Sequence, residues 1–126
     1  MSVSQNPIRI LAVDDHKMFR EALAMILATQ PDMSLVAQAS NGREAVQQFR
    51  EHRPHVTLMD LQMPAMNGLE AMVAIRKEFP EAKIIILTTY ESDVQDAMQL
   101  GARAYLLKTH LDKELLGTIR AVNSSS

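Results

Sequence analysis

Five short apolar runs, Arg9–Val13, Leu35–Ala37, Val56–Met59, Ile84–Leu87 and Ala104–Leu107, recur at intervals of about 20 to 28 residues. Apolar residues at helical spacing fill each interval and follow the last run. A strand, a helix and a further strand build a parallel pair joined by a right-handed crossover. The runs are apolar throughout, as strands covered on both faces must be. The chain has 126 residues, enough for one domain with a substantial core but too few for an eight-stranded α/β barrel of about 250. The expected fold is α/β, a doubly wound five-stranded parallel sheet of order 2-1-3-4-5, flavodoxin-like.

The helices follow from the same periodicity. Phe19, Leu23, Ile26 and Leu27 form one face of the first, which ends before Pro31. Asn41 caps the second, with Glu44 as its reciprocal partner and Ala45, Val46 and Phe49 inward. Leu69, Met72, Val73 and Phe79 line the third, which stops at Pro80. Ser92 with Gln95 opens the fourth, running to about Gly101, and Leu115, Ile119 and Val122 face inward from the last. Residues 1–7 read as a flexible N-terminus, 8–122 as the domain, and 123–126 as a tail or the start of a linker.

Function is expected where polar residues end the strands. Asp14-Asp15 follows the first run, Asp60 the third, Thr88 the fourth and Lys108 the fifth. Open α/β sheets bind ligands beyond the strands' carboxyl ends where strand order reverses, here between strands 1 and 3. Carboxylates meeting there need a cation, and an oxygen-rich site suits Mg2+, which adds phosphate oxygens to its shell. Lys108 would act as a point charge against a phosphoryl group, and Thr88 would donate a hydrogen bond to it. Asp60 stands singly between the acid pair and Thr88 and is the candidate nucleophile, since aspartate can take a phosphoryl group covalently. Pro64 and Gly68 fix the loop beyond it. The alternative treats these acids as loop or helix-cap residues at ordinary strand ends, which leaves the coincidence of acids, hydroxyl and lysine to chance.

Several classes are disfavoured. There is no cysteine, so thiol chemistry and disulfides are excluded. The net charge of -2, with both signs mixed along the chain, lacks the basic stripe of a nucleic-acid binder. No signal peptide and no 18-residue apolar run appear, so a cytoplasmic domain without membrane contact is expected. His16 borders the acid pair and could tune the crevice, but reads rather as a solvated residue opening the first helix. His52, His55 and His110 are scattered, and no HxxxH or HxH spacing marks a zinc site. Tyr90 reads either as a gate at the crevice rim or as a surface aromatic.

The blocks Val-Asp14-Asp15-His, Met59-Asp60-Leu-Gln-Met63-Pro64, Asn67-Gly68, Leu87-Thr88, Gly101-Ala102 and Tyr105-Leu-Leu-Lys108 resemble, in order and spacing, the receiver domains of two-component response regulators. The wording of Val-Asp-Asp-His-Lys-Met-Phe-Arg and Gly-Ala-Arg-Ala-Tyr-Leu-Leu-Lys-Thr resembles the NarL/FixJ, LuxR-type branch. The resemblance covers about Ile8 to Val122. It implies that Asp60 accepts a phosphoryl group from a phosphohistidine of a sensor histidine kinase. It further implies that Asp14, Asp15, Asp60 and the main-chain carbonyl of Gln62 hold Mg2+, that Lys108 pairs with the phosphoaspartate, and that Thr88 and Tyr105 form a switch. The nine methionines read as core filler or loop anchors, and Met63 and Met66 would additionally offer the kinase an apolar patch. Phosphorylation would promote homodimerisation, and promoter DNA would be bound by a C-terminal helix-turn-helix domain absent from this chain. Asn67, Ala104 and Thr109 stand where the family often has aspartate, glycine and proline; none of these is a phosphorylation residue. A phosphorylation-independent pseudo-receiver and a small aspartyl phosphatase are the alternative classes.

Overall fold

The computed structural model describes residues 6–63 and 66–125. Pro64 and most of the expected flexible N-terminus lie outside the described residues. Five strands, β1 (Ile8–Val13), β2 (Met33–Ala39), β3 (Val56–Asp60), β4 (Ile84–Thr88) and β5 (Ala104–Leu107), form one parallel sheet of order β2-β1-β3-β4-β5. Five helices alternate with them: α1 (Lys17–Ala28), α2 (Gly42–His52), α3 (Gly68–Glu78), α4 (Val94–Gln99) and α5 (Leu111–Ser124). The expected doubly wound architecture is the one observed.

Side chains alternate across each strand and so build two cores. Ile8, Ile10 and Ala12 of β1, Leu58 of β3 and Ile85 and Leu87 of β4 face α1 and α5, meeting Leu23, Leu27, Leu115 and Ile119. Leu11, Val13, Met59, Ile84 and Ile86 face the other way, onto Phe49 of α2, Met72 and Ile75 of α3 and Ala97 of α4. Burying an aliphatic side chain in this way contributes roughly 1.5–3 kcal/mol.

Local details depart from expectation. Strand β2 is longer than Leu35–Ala37 because, as an edge strand, it admits Ser34 and Gln38, and Val36 is inserted as its register against β1 shifts. Asn41 caps α2 through the Glu44 N–H at 2.8 Å. The Glu44 carboxylate, however, reaches the N–H and hydroxyl of Ser40, at 2.8 and 2.7 Å, rather than Asn41. The reciprocal capping box forms instead at α3, between Asn67 and Glu70. Val73 is not on the inner face of α3: it is 42% exposed, and the buried positions are Gly68, Ala71, Met72 and Ile75. Helix α4 does not open on Ser92. A single 3-10 turn, Glu91–Asp93, precedes it, with no side-chain cap. Among the described residues no helix is long and apolar enough to cross a membrane.

Candidate functional site

The sheet order makes β1 and β3 parallel neighbours, and their carboxyl ends bring Asp14 and Asp60 together. Asp14 continues the row of Ile10 and Ala12, Asp60 that of Leu58, and Lys108 that of Leu106, so all three emerge on the α1/α5 side. The Lys108 ammonium lies 2.7 Å from Asp14 Oδ2 and 3.4 Å from Asp60 Oδ1, with the Phe19 ring 4.5 Å beneath it. Asp14 is fully buried and Asp60 only 3% exposed. Such carboxylates are tolerated because a cation and main-chain N–H groups meet them. The His16 N–H donates to Asp14 Oδ1 at 2.8 Å, and the Gln62 N–H to Asp60 Oδ1 at 3.2 Å. Arg20 secures the turn by donating to the Asp14 carbonyl at 2.7 Å.

Asp60 Oδ1 is thus held by Lys108 and Gln62, whereas Oδ2 takes no hydrogen bond among the described residues. Burial, and secondarily the neighbouring Asp14 charge, push the Asp60 carboxyl up to about 6, against the opposing pull of Lys108 and the Gln62 N–H. Ligand atoms of Asp14, Asp15, His16 and Asp60 all lie within 4.8 Å of one another. The Asp15 Oδ1 atom is buried and makes no hydrogen bond. Two carboxylates share one ammonium, and a third, that of Asp15, has a buried oxygen without a hydrogen bond. That donor set suits a small oxygen-seeking dication.

The loop beyond β3 is set by close backbone approach. Gly68 N–H donates to the Leu61 carbonyl at 3.1 Å, and a methyl at residue 68 would overlap the main-chain carbonyl of Asp60. Gly42 at the start of α2 donates to the Met66 carbonyl at 3.0 Å. The Gln62 side chain crosses to Asp93 Oδ2 at 2.9 Å, linking the loops after β3 and β4.

Thr88 ends β4 at the same edge and is buried, but its hydroxyl donates to the Tyr90 carbonyl and accepts from the Tyr90 N–H, each at 3.2 Å. Strand alternation puts it in the row of Ile84 and Ile86, on the face opposite Leu87, and among the described residues no hydrogen bond links its hydroxyl to the acids. Tyr105 sits beside Ile86 in the register of β4 and β5. It is 37% exposed, and its hydroxyl donates to Glu91 Oε1 at 3.0 Å. Tyr90 is exposed on the loop after β4. Met63 is buried rather than part of a surface patch, and Met66 packs against the core.

His16 opens α1 and is largely exposed, as expected, but it also turns its ring toward the acids. Its ring Nδ1 lies 3.1 Å from both Asp14 Oδ1 and Asp15 Oδ1. The available signal was its adjacency to the acid pair, outweighed by the absence of any histidine spacing motif.

Residues 10–120 match the family model described as the response regulator receiver domain. The chain is 43% identical over 118 residues to the transcriptional regulatory protein LiaR of Bacillus subtilis, covering 92% of this chain and 56% of that protein. It is 42% identical over 118 residues to the oxygen regulatory protein NreC of Staphylococcus haemolyticus, covering 91% and 54% respectively. The chain therefore spans about half the length of the curated relatives it matches. Among solved structures, a LuxR-family two-component response regulator from Aurantimonas superposes with a TM-score of 0.90 at 32% identity, over 94% of this chain and 86% of that one. With five parallel strands in the order β2-β1-β3-β4-β5 and an acid crevice at their carboxyl ends, the chain belongs to the response regulator receiver-domain family, in its LuxR-type (NarL/FixJ) branch.

Proposed function

We propose that this domain is a phosphoryl-accepting switch in which Asp60 is the acceptor and a phosphohistidine of a sensor kinase is the donor. The observation that carries this reading is the convergence of Asp14, Asp60 and Lys108, with the ammonium 2.7 and 3.4 Å from the two carboxylates. Oδ2 of Asp60 attacks phosphorus, the phosphorus–nitrogen bond of the donor breaks, and the imidazole leaves with the electron pair and takes up a proton. The product is an acyl phosphate. With its pKa at about 6, Asp60 is mostly ionised at neutral pH and so competent to attack.

Lys108 is placed to follow the new phosphoryl oxygens, because its charge already spans Asp14 and Asp60. Asp14, Asp15 and Asp60, with the Gln62 main-chain carbonyl, would hold Mg2+, which when bound neutralises charge on the phosphoryl oxygens. Thr88 holds only the Tyr90 backbone, and its release would free a hydroxyl for the phosphoryl group. Thr88 and Tyr105 occupy the same face of adjacent strands, which supports coupling between them. Tyr105 would then exchange its Glu91 bond for an inward position and alter the α4–β5–α5 surface. Residues 8–122 carry the receiver in this reading, the end of α5 at Ser124 would lead toward a helix-turn-helix domain that binds promoter DNA, and dimerisation would follow phosphorylation. Relatives of about twice this length that are called transcriptional regulators support that output.

The test is incubation with a small phosphodonor and Mg2+, read by intact mass. The wild type should gain one phosphoryl group and Asp60→Asn none. Labelling that persists in Asp60→Asn, or no labelling of the wild type, would overturn the proposal.

A further inference from the structure

His16 touches the acid crevice from outside the expected set of ligands. The ring is 71% exposed on its side chain, yet Nδ1 is turned inward, 3.1 Å from Asp14 Oδ1 and 3.1 Å from Asp15 Oδ1. The contact to Asp14 has hydrogen-bond geometry, the role of the ring nitrogen being set by its tautomer. Asp15 Oδ1, equally near, receives no hydrogen bond although it is buried. Two carboxylate oxygens and an imidazole nitrogen thus converge on a space that one ring proton fills incompletely.

The spacing has a second meaning. Adjacent ligands of a metal bound at about 2.1 Å are separated by about 3.0 Å in right-angle geometry and about 3.4 Å in tetrahedral geometry. The two 3.1 Å separations fall in that range, and Asp60 belongs to the same cluster of ligand groups. Moving the ring proton to Nε2, on the exposed side, leaves the Nδ1 lone pair directed at the acids.

We infer that His16 is a metal-selectivity residue: its Nδ1 adds a nitrogen donor to the Asp14, Asp15 and Asp60 carboxylates and gives the crevice a Zn2+-class binding mode distinct from its all-oxygen Mg2+ mode. This rests on the reading of the crevice as a divalent-cation site. Mg2+ takes oxygen ligands and keeps its waters, so it has little use for the ring. Zn2+ and the other late first-row ions favour imidazole. One crevice therefore offers two donor sets, with and without the ring nitrogen, and a Zn2+-class ion would compete with Mg2+ for the acids that the phosphoryl reaction needs.

The experiment titrates the full chain separately with Mg2+ and Zn2+, following backbone amides near Asp60 and the imidazole nitrogens by residue-resolved nitrogen–proton NMR. His52, His55 and His110 serve as internal controls; His55 Nδ1 already accepts the Arg9 N–H at 2.9 Å. Zn2+ should shift His16 Nδ1 selectively at the first equivalent, while Mg2+ shifts the amides without metallating the ring. In His16→Asn, the ratio of Zn2+ to Mg2+ affinity should fall about tenfold or more. The inference is overturned if Zn2+ leaves the His16 ring unchanged, if another histidine takes the first equivalent, or if the affinity ratio is the same in His16→Asn. Failure of the wild type to bind Mg2+ would instead sink the cation-site reading, and this inference with it.

Discussion

Replacing Asp60 by asparagine should make the metal-free domain more stable, although it removes the proposed phosphoryl acceptor. Burial and the Asp14 charge raise the Asp60 carboxyl from 3.8 to about 6. Each unit of pKa difference between folded and unfolded states is worth about 1.4 kcal/mol, so ionised Asp60 destabilises the fold by about 3 kcal/mol at neutral pH. The sign follows from the direction of the shift. Between the unfolded and folded values, the folded state binds the additional proton. Stability attached to this group is therefore complete below about 4, declines as pH rises through about 6, and stays reduced above it. Asparagine carries no charge, and Lys108 keeps Asp14 as a partner at 2.7 Å.

Urea unfolding followed by circular dichroism, in chelator, should find Asp60→Asn more stable by about 2–3 kcal/mol at pH 7.5, with the advantage shrinking toward pH 4. Saturating Mg2+ at a hundredfold over its dissociation constant would return about 2.7 kcal/mol to the wild type and nearly close the gap. An Asp60→Asn variant no more stable than the wild type at pH 7.5 without metal, or an advantage that ignores pH, would refute the electrostatic account.

Other outcomes follow from neighbouring contacts. Gly68→Ala should destabilise the domain by about 1–3 kcal/mol in the same unfolding assay, because the added methyl meets the main-chain carbonyl of Asp60 rather than a yielding side chain. Lys108→Met should raise the Asp60 carboxyl above about 6, seen by carbon NMR titration, since Lys108 pulls that value down. The same variant should lose about 3 kcal/mol of stability, as Asp14 would be left buried without its cation. The hydrogen bond to Glu91, followed by its charge, holds the Tyr105 hydroxyl above the ordinary tyrosine value. Glu91→Gln should bring that ionisation down in a spectrophotometric titration.

The alternation of apolar runs and helical stripes left little freedom in the architecture. Each strand is too short and too apolar to be covered except by crossover helices, and the polar residues closing the runs fell at one sheet edge. Asp14, Asp60 and Lys108 could be named from that pattern because the period of two in a strand continues past its last residue. Periodicity was weaker where small residues mark the contact face. The inner face of α3 is set by Gly68 and Ala71, whose small size permits close packing, whereas weight on large apolar residues pointed to Val73. The start of α4 was misplaced because its first turn is a 3-10 turn, with Ser92 exposed and no side-chain cap to find.

The amino-acid order alone determined which elements form, their sequence and the edge at which chemistry collects, since these depend on side-chain period and length. Only the folded chain decided which atoms meet. In the folded chain the Thr88 hydroxyl bonds the Tyr90 backbone, Asp15 Oδ1 is buried without a hydrogen bond, and the His16 ring nitrogen turns back over the acids. Such relations are set by rotamers, loop conformation and packing, which side-chain period does not encode.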